Sequence, residues 1–150
     1  MWRFFTSGGA QKITENAGSP IVRVRHATNQ SVAAGGTTLA WDTEDLDTDT
    51  MHDPVTNNSR LTAKTGGTYL ILANLVLDSS FASGDNFELR LNGASTLDLI
   101  DADASGLNVK LETIYALAQN DYVEIRAFNG TGGARNVVAV GSHFEAVKVN

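Results

Sequence analysis

Apolar residues recur in this chain with a period of two, and no window sustains a helical period. From Leu107 to Leu117 the odd positions are Leu107, Val109, Leu111, Thr113, Tyr115 and Leu117, while the intervening ones begin Asn108, Lys110 and Glu112. Phe87, Leu89 and Leu91 alternate with Glu88, Arg90 and Asn92, and Val123, Ile125 and Ala127 alternate with Glu124 and Arg126. A pleated strand sends successive side chains to opposite faces, so each segment predicts a half-buried strand. Turn signals fall between them at Gly35-Gly36, Gly66-Gly67, Ser83-Gly84-Asp85, Asn92-Gly93, Asn120-Asp121 and Asn129 to Gly133. The chain reads as an all-β sandwich.

Two segments break the alternation. Tyr69 to Leu77 is apolar at nearly every position, and so is Val137 to Val140. A strand in a lone two-layer sandwich has one wet face, so a second apolar face needs a cover. Another subunit supplies that cover, or a loop of the same chain does. On the oligomer reading Leu70, Leu72 and Val76 face the neighbouring subunit, and the odd-numbered Ile71 and Leu75 line the core. A register error of one residue inverts that assignment.

The chain has 150 residues, room for one domain with a full core. Cysteine is absent, which excludes disulfides and thiolate metal sites. The eleven Lys and Arg are scattered against a net charge of −6, so nucleic acid is not an expected partner. No apolar run approaches the ~20 residues of a membrane-spanning helix. The start, Met1 to Gly9, lacks a basic stretch followed by an apolar one. The expectation is synthesis in a cytoplasm without export.

The stretch Trp41 to Tyr69 adds order to the strands. A Trp-Asp leads into an acidic loop, followed by His52-Asp53, Asn57-Asn58-Ser59, a short strand Arg60 to Ala63, and Gly67-Thr68-Tyr69 opening the long apolar strand. Asn92-Gly93, then Leu117 to Val123, then Ser142-His143-Phe144-Glu145-Ala146 follow in turn. This succession, from about Ile21 to Val149, resembles the globular head of complement component one q and its tumour-necrosis-factor relatives. The resemblance implies a ten-strand jelly-roll β-sandwich, a homotrimer, and a binding or structural role without catalysis. Two departures stand: no collagen repeat precedes the domain, and aliphatic residues follow Gly-x-Tyr where the family usually has an aromatic.

Residues 1–20 are expected to form a short hairpin arm ahead of a jelly roll at 21–150. Trp2-Arg3-Phe4-Phe5, then Gly9, Gln11-Lys12 and Ile13, resembles the opening of many tailed-bacteriophage structural proteins. The implied class is a virion protein, made in host bacterial cytoplasm and carried on the virion's outer surface. With so little chain outside the jelly roll, a trimeric capsid decoration protein is expected, docking on the major capsid protein through Trp2, Phe4 and Phe5. The alternative is a tail-fibre tip meeting a tail protein and a host receptor or glycan.

Asp42, Glu44, Asp45, Asp47, Asp49 and Asp53 crowd one short stretch. The spacing of Asp45, Asp47 and Asp49 suggests calcium, but Thr50 and Thr56 stand where an EF-hand needs Gly and Glu. The expectation is a solvated acidic loop and no cofactor, with calcium on these three aspartates as the competing reading. Asp101 and Asp103 form a second acidic pair, and glycoside chemistry is not expected of it. His26, His52 and His143 show no ligand spacing, and no nucleophile elbow or phosphate loop is present. The chain is not expected to be an enzyme.

Overall fold

A computed structural model describes residues 18–78, 82–102, 107–130, 132–133 and 135–149. Trp2, Phe4, Phe5 and the rest of the arm up to residue 17 lie outside the described residues, as does Asp103. Eleven strands appear among those described, and no helix. They are β1 (Ile21–Arg25), β2 (Gln30–Val32), β3 (Gly35–Thr38), β4 (Thr43–Asp47), β5 (Arg60–Thr62), β6 (Gly67–Leu77), β7 (Asn86–Leu91), β8 (Ser95–Asp101), β9 (Asn108–Leu117), β10 (Tyr122–Asn129) and β11 (Arg135–Lys148).

The strands form two antiparallel sheets. The six-stranded sheet runs β4-β1-β11-β6-β9, with β2 added to β11. The five-stranded sheet runs β3-β10-β7-β8, with β5 added to β10. The alternating residues of β7, β10 and the first half of β9 close the space between the sheets as their pattern predicts, whereas Leu107 and Tyr115, which share the parity of the buried series, are exposed. Phe87, Leu89, Val109, Leu111, Val123 and Ile125 are buried, together with the large side chains of Trp41, Tyr69 and Phe144. The Asn92-Gly93 turn joins β7 to β8 with both residues in the left-handed region, φ 52° and 70°. This geometry gives a two-residue hairpin the twist of its strands, and Asn-Gly adopts it at least cost.

Three expectations change. Gly35-Gly36 is not a turn between strands; it opens β3, which pairs with Phe128 and Asn129 of β10. The Arg126 guanidinium crosses directly over Gly36, so a side chain there would have to displace it. The acidic stretch is not all loop, because its first part is β4, paired to β1. Val137 to Val140 does not continue as a doubly apolar strand. A bulge separates the pairs Val138–Val76 and His143–Asn74, Gly141 takes φ 91°, and Val140 is 83% exposed. The β6 backbone is still satisfied across the bulge. Val76 N–H donates to Ser142 Oγ at 2.8 Å, and Asn74 Nδ2 donates to the Gly141 carbonyl at 2.8 Å.

Candidate functional site

β6 lies inside the six-stranded sheet, between β11 and β9. Its odd residues Tyr69, Ile71, Ala73, Leu75 and Leu77 are buried in the core. Its even residues Leu70, Leu72, Asn74 and Val76 therefore point out of the sandwich, half-buried by neighbouring side chains. The structure thus puts Leu70, Leu72 and Val76 together on one outer face, with Ile71 and Leu75 on the other side.

Cross-strand register extends this face into rows. Ile21, Val147, Leu70 and Ile114 stand side by side across β1, β11, β6 and β9. All four are apolar, and Ile114 is 66% exposed. The next row is Arg23, Glu145, Leu72 and Glu112, and the one beyond it Arg25, His143, Asn74 and Lys110. Val76 and Val138 pair in the last row. An apolar band, a charged band and a second apolar patch thus cross the sheet. In the charged band Arg23 lies 3.8 Å from Glu145 and 3.8 Å from Asp45, and Arg25 lies 2.8 Å from Asp45. A shallow depression of about 240 Å³ opens there, lined by Leu72, Lys110, Glu112, His143 and Glu145 among others. Ile21, Val147 and Ile114 were not singled out from sequence. A signal existed, since Ile114 interrupts the polar series Asn108, Lys110, Glu112.

The three calcium candidates do not converge. Asp45 turns to Arg23 and Arg25. Asp47 turns inward and caps the following loop. Its Oδ1 accepts from the amides of Asp49 at 3.2 Å and Met51 at 3.0 Å, and its Oδ2 from that of His52 at 2.9 Å. Asp49 Oδ2 is buried without a hydrogen-bond partner. Among the described residues no group of three or more metal-ligating side chains gathers.

The histidines also part. The His52 ring is buried between Glu44, 2.9 Å from Nδ1, and the Asn58 carbonyl, 3.1 Å from Nε2, which ties loop 48–59 to β4. His26 stacks on Trp41 with centroids 4.3 Å apart, and burial holds its pKa below the ordinary value against the pull of Asp42. His143 stands on the outer face, 3.6 Å from Glu145. The described residues therefore gather an apolar row and a charged band on one outer face, and they gather no group of three or more metal-ligating side chains.

No family model and no curated protein matches this chain. Solved structures do. The globular domain of zebrafish complement 1qA protein superimposes with a TM-score of 0.63 at 16% identity, covering 87% of this chain and 98% of that one. Murine APRIL at pH 8.0 gives 0.64 at 15% identity, over 87% of this chain and 98% of that one. Rabbit GITRL gives 0.60 at 12% identity, over 88% and 95%. The chain has the jelly-roll fold of the complement head and the tumour-necrosis-factor proteins, as its strand order implied. At these identities the likeness concerns fold alone.

Proposed function

We propose that this chain is a homotrimeric, non-catalytic jelly-roll module that serves as a virion surface protein, decorating the outer shell of a bacteriophage head. The observation that carries the assembly is the apolar row Ile21, Val147, Leu70 and Ile114 on the outer face of the six-stranded sheet. Removing such a row from water is favourable by about 25 cal/mol per Å² of apolar surface. The charged band beside it supplies register, because a wrong docking would set like charges against each other. Three copies, and not two, follow from the resemblance to trimeric heads. A trimer also suits the three-fold positions of an icosahedral shell.

The phage setting rests on the sequence of the arm, Trp2-Arg3-Phe4-Phe5, and on the compact body that follows it. Light scattering tests assembly first: a particle of three chains is expected, and a stable monomer at micromolar concentration defeats the proposal. A chain begun at Pro20 keeps every described strand, so it should still trimerise. It should fail to bind shells that lack the native protein, because the aromatic anchors are gone. Binding of the full trimer to host cells, with no affinity for empty heads, would replace head decoration by the tail-tip role.

A further inference from the structure

A second concavity lies away from the proposed contact face, on β5 and the loop 48–59 that folds over it. It holds about 180 Å³. The loop is tied down at several points: Thr62 N–H donates to the Met51 carbonyl at 2.7 Å, Arg60 N–H to that of Asn57 at 3.1 Å, and Trp41 N–H to that of Asn58 at 2.8 Å. Two lining residues, Thr50 and Asn57, sit in the left-handed region at φ 50° and 57°. A β-branched threonine adopts that backbone only where its surroundings impose it. The pocket is therefore a preformed shape.

Its lining is polar and locally cationic. Arg60 and Lys64 both border it, in a chain whose acidic residues outnumber its basic ones by seventeen to eleven. Neither cation forms an ion pair with a carboxylate among the described residues. Glu124 is the cross-strand neighbour of Arg60, and the two do not come within ion-pair distance. The Arg60 guanidinium lies 4.0 Å from the centre of the Tyr122 ring. This cation–π contact holds the guanidinium against the ring and leaves N–H groups to donate, and a guanidinium recognises a planar oxyanion with two parallel hydrogen bonds. The one carboxylate at the rim, Asp53, accepts through Oδ1 from the amides of Val55 and Thr56 at 2.9 Å each and also feels the charge of Lys64, so Arg60 is the cation that the rim leaves less compensated. Thr50, Thr56, Thr62 and Asn57 add hydroxyl and amide groups around the cations.

We infer that this pocket binds an acidic sugar residue, with its carboxylate on Arg60 and Lys64 and its hydroxyls on the threonines and Asn57. The volume decides the scale. A concavity of about 180 Å³ has room for one sugar ring, and its open mouth leaves any further residues of a chain in solvent. The inference does not depend on the trimer proposal, since the pocket lies in one subunit and off the apolar row.

The test is titration of the full-length protein with D-glucuronate, D-glucose and inorganic phosphate at low ionic strength, followed by backbone amide shifts. Glucuronate is expected to move amides of residues 50–64 saturably, and glucose to leave them in place. Lys64→Gln, at an exposed position, should weaken glucuronate about threefold, and Arg60→Gln by about tenfold or more, since the guanidinium's charge-assisted hydrogen bonds are lost. A thermal melt of each variant separates lost binding from lost folding. Equal binding of glucose, absence of saturation, or unchanged affinity in folded Arg60→Gln and Lys64→Gln would overturn the inference. Phosphate binding as tight as glucuronate would overturn its sugar half.

Discussion

The two sheets meet solvent in different ways. On the five-stranded sheet the outward residues of β7 and β10 are largely charged or polar, and they pair locally: Glu88 lies 3.3 Å from Arg126 and 3.7 Å from Arg90. On the six-stranded sheet the outward residues include the unbroken apolar row from Ile21 to Ile114. Both sheets contribute buried residues to one core. Their outer faces differ because one is finished within a single chain, whereas the other leaves apolar surface that a second copy would complete. A half-buried apolar row ending at the exposed Ile114 is the surface that the proposed trimer would cover, while scattered surface ion pairs add little to stability.

Substitutions along β6 are the strongest way to break that comparison. Ile71→Asp puts a charge in the core, and the expected result is loss of a cooperative melt in circular dichroism. One residue away, Leu70→Asp should leave the fold intact and cut the mass seen by light scattering to one chain. If Leu70→Asp unfolds the protein as Ile71→Asp does, the two faces of β6 are not distinct in the way the register implies.

A smaller effect is expected at Asp47. Its carboxylate accepts from three backbone amides, so Asp47→Asn should cost about 1–3 kcal/mol, read from urea unfolding. Chelator should leave the melting temperature of the unaltered protein in place. A chelator-induced drop that Asp47→Asn abolishes would restore the calcium reading.

Acid should act on the core separately from the faces. Burial lowers the His26 pKa below 6.5, so as pH falls through ~6.5 the unfolded chain takes up a proton before the folded one. His26 therefore withholds nothing above that pH and destabilises the fold progressively below it, down to its own lowered pKa. His26→Phe keeps a ring against Trp41 and should narrow the gap between melting temperatures at pH 7.5 and pH 5.5. The smallest effect belongs to the charged face: Glu88→Gln should change stability by under about 1 kcal/mol and leave the assembly mass unchanged. A change of mass there would move the contact to the wrong sheet.

Much of this architecture was legible in the residues. Strands with one polar face announce themselves, because alternation reports a wet side and a dry side without reference to any partner. The Asn92-Gly93 hairpin was legible for a local reason too, as two consecutive left-handed residues favour that pair. Gly35-Gly36 misled because a glycine pair signals a turn as readily as it signals a close crossing, and the crossing side chain, Arg126, is far away in sequence. The acidic stretch misled similarly. Thr43 to Asp47 forms a strand by pairing its backbone with β1, where Asp45 also meets Arg23 and Arg25, and none of these β1 residues is a sequence neighbour. Of the candidate surface, Leu70, Leu72 and Val76 were visible as the second apolar face of one strand. Ile21, Val147 and Ile114 joined them only through cross-strand register, and the pocket around Arg60 and Lys64 could be seen only once the loop had closed over β5.

By itself, then, the sequence determined what short-range chemistry can express: strands with their buried parity in the alternating segments, one tight hairpin, an all-β sandwich in jelly-roll order, and the lack of any thiolate chemistry. Tertiary structure alone decided which face of β6 is core and which is surface, where the bulge in β11 releases Val140, and which aspartate answers an arginine and which a loop. The reason is that pairing register and long-range charge contacts join residues tens of positions apart. A one-residue slip would reverse every face while leaving local propensities unchanged.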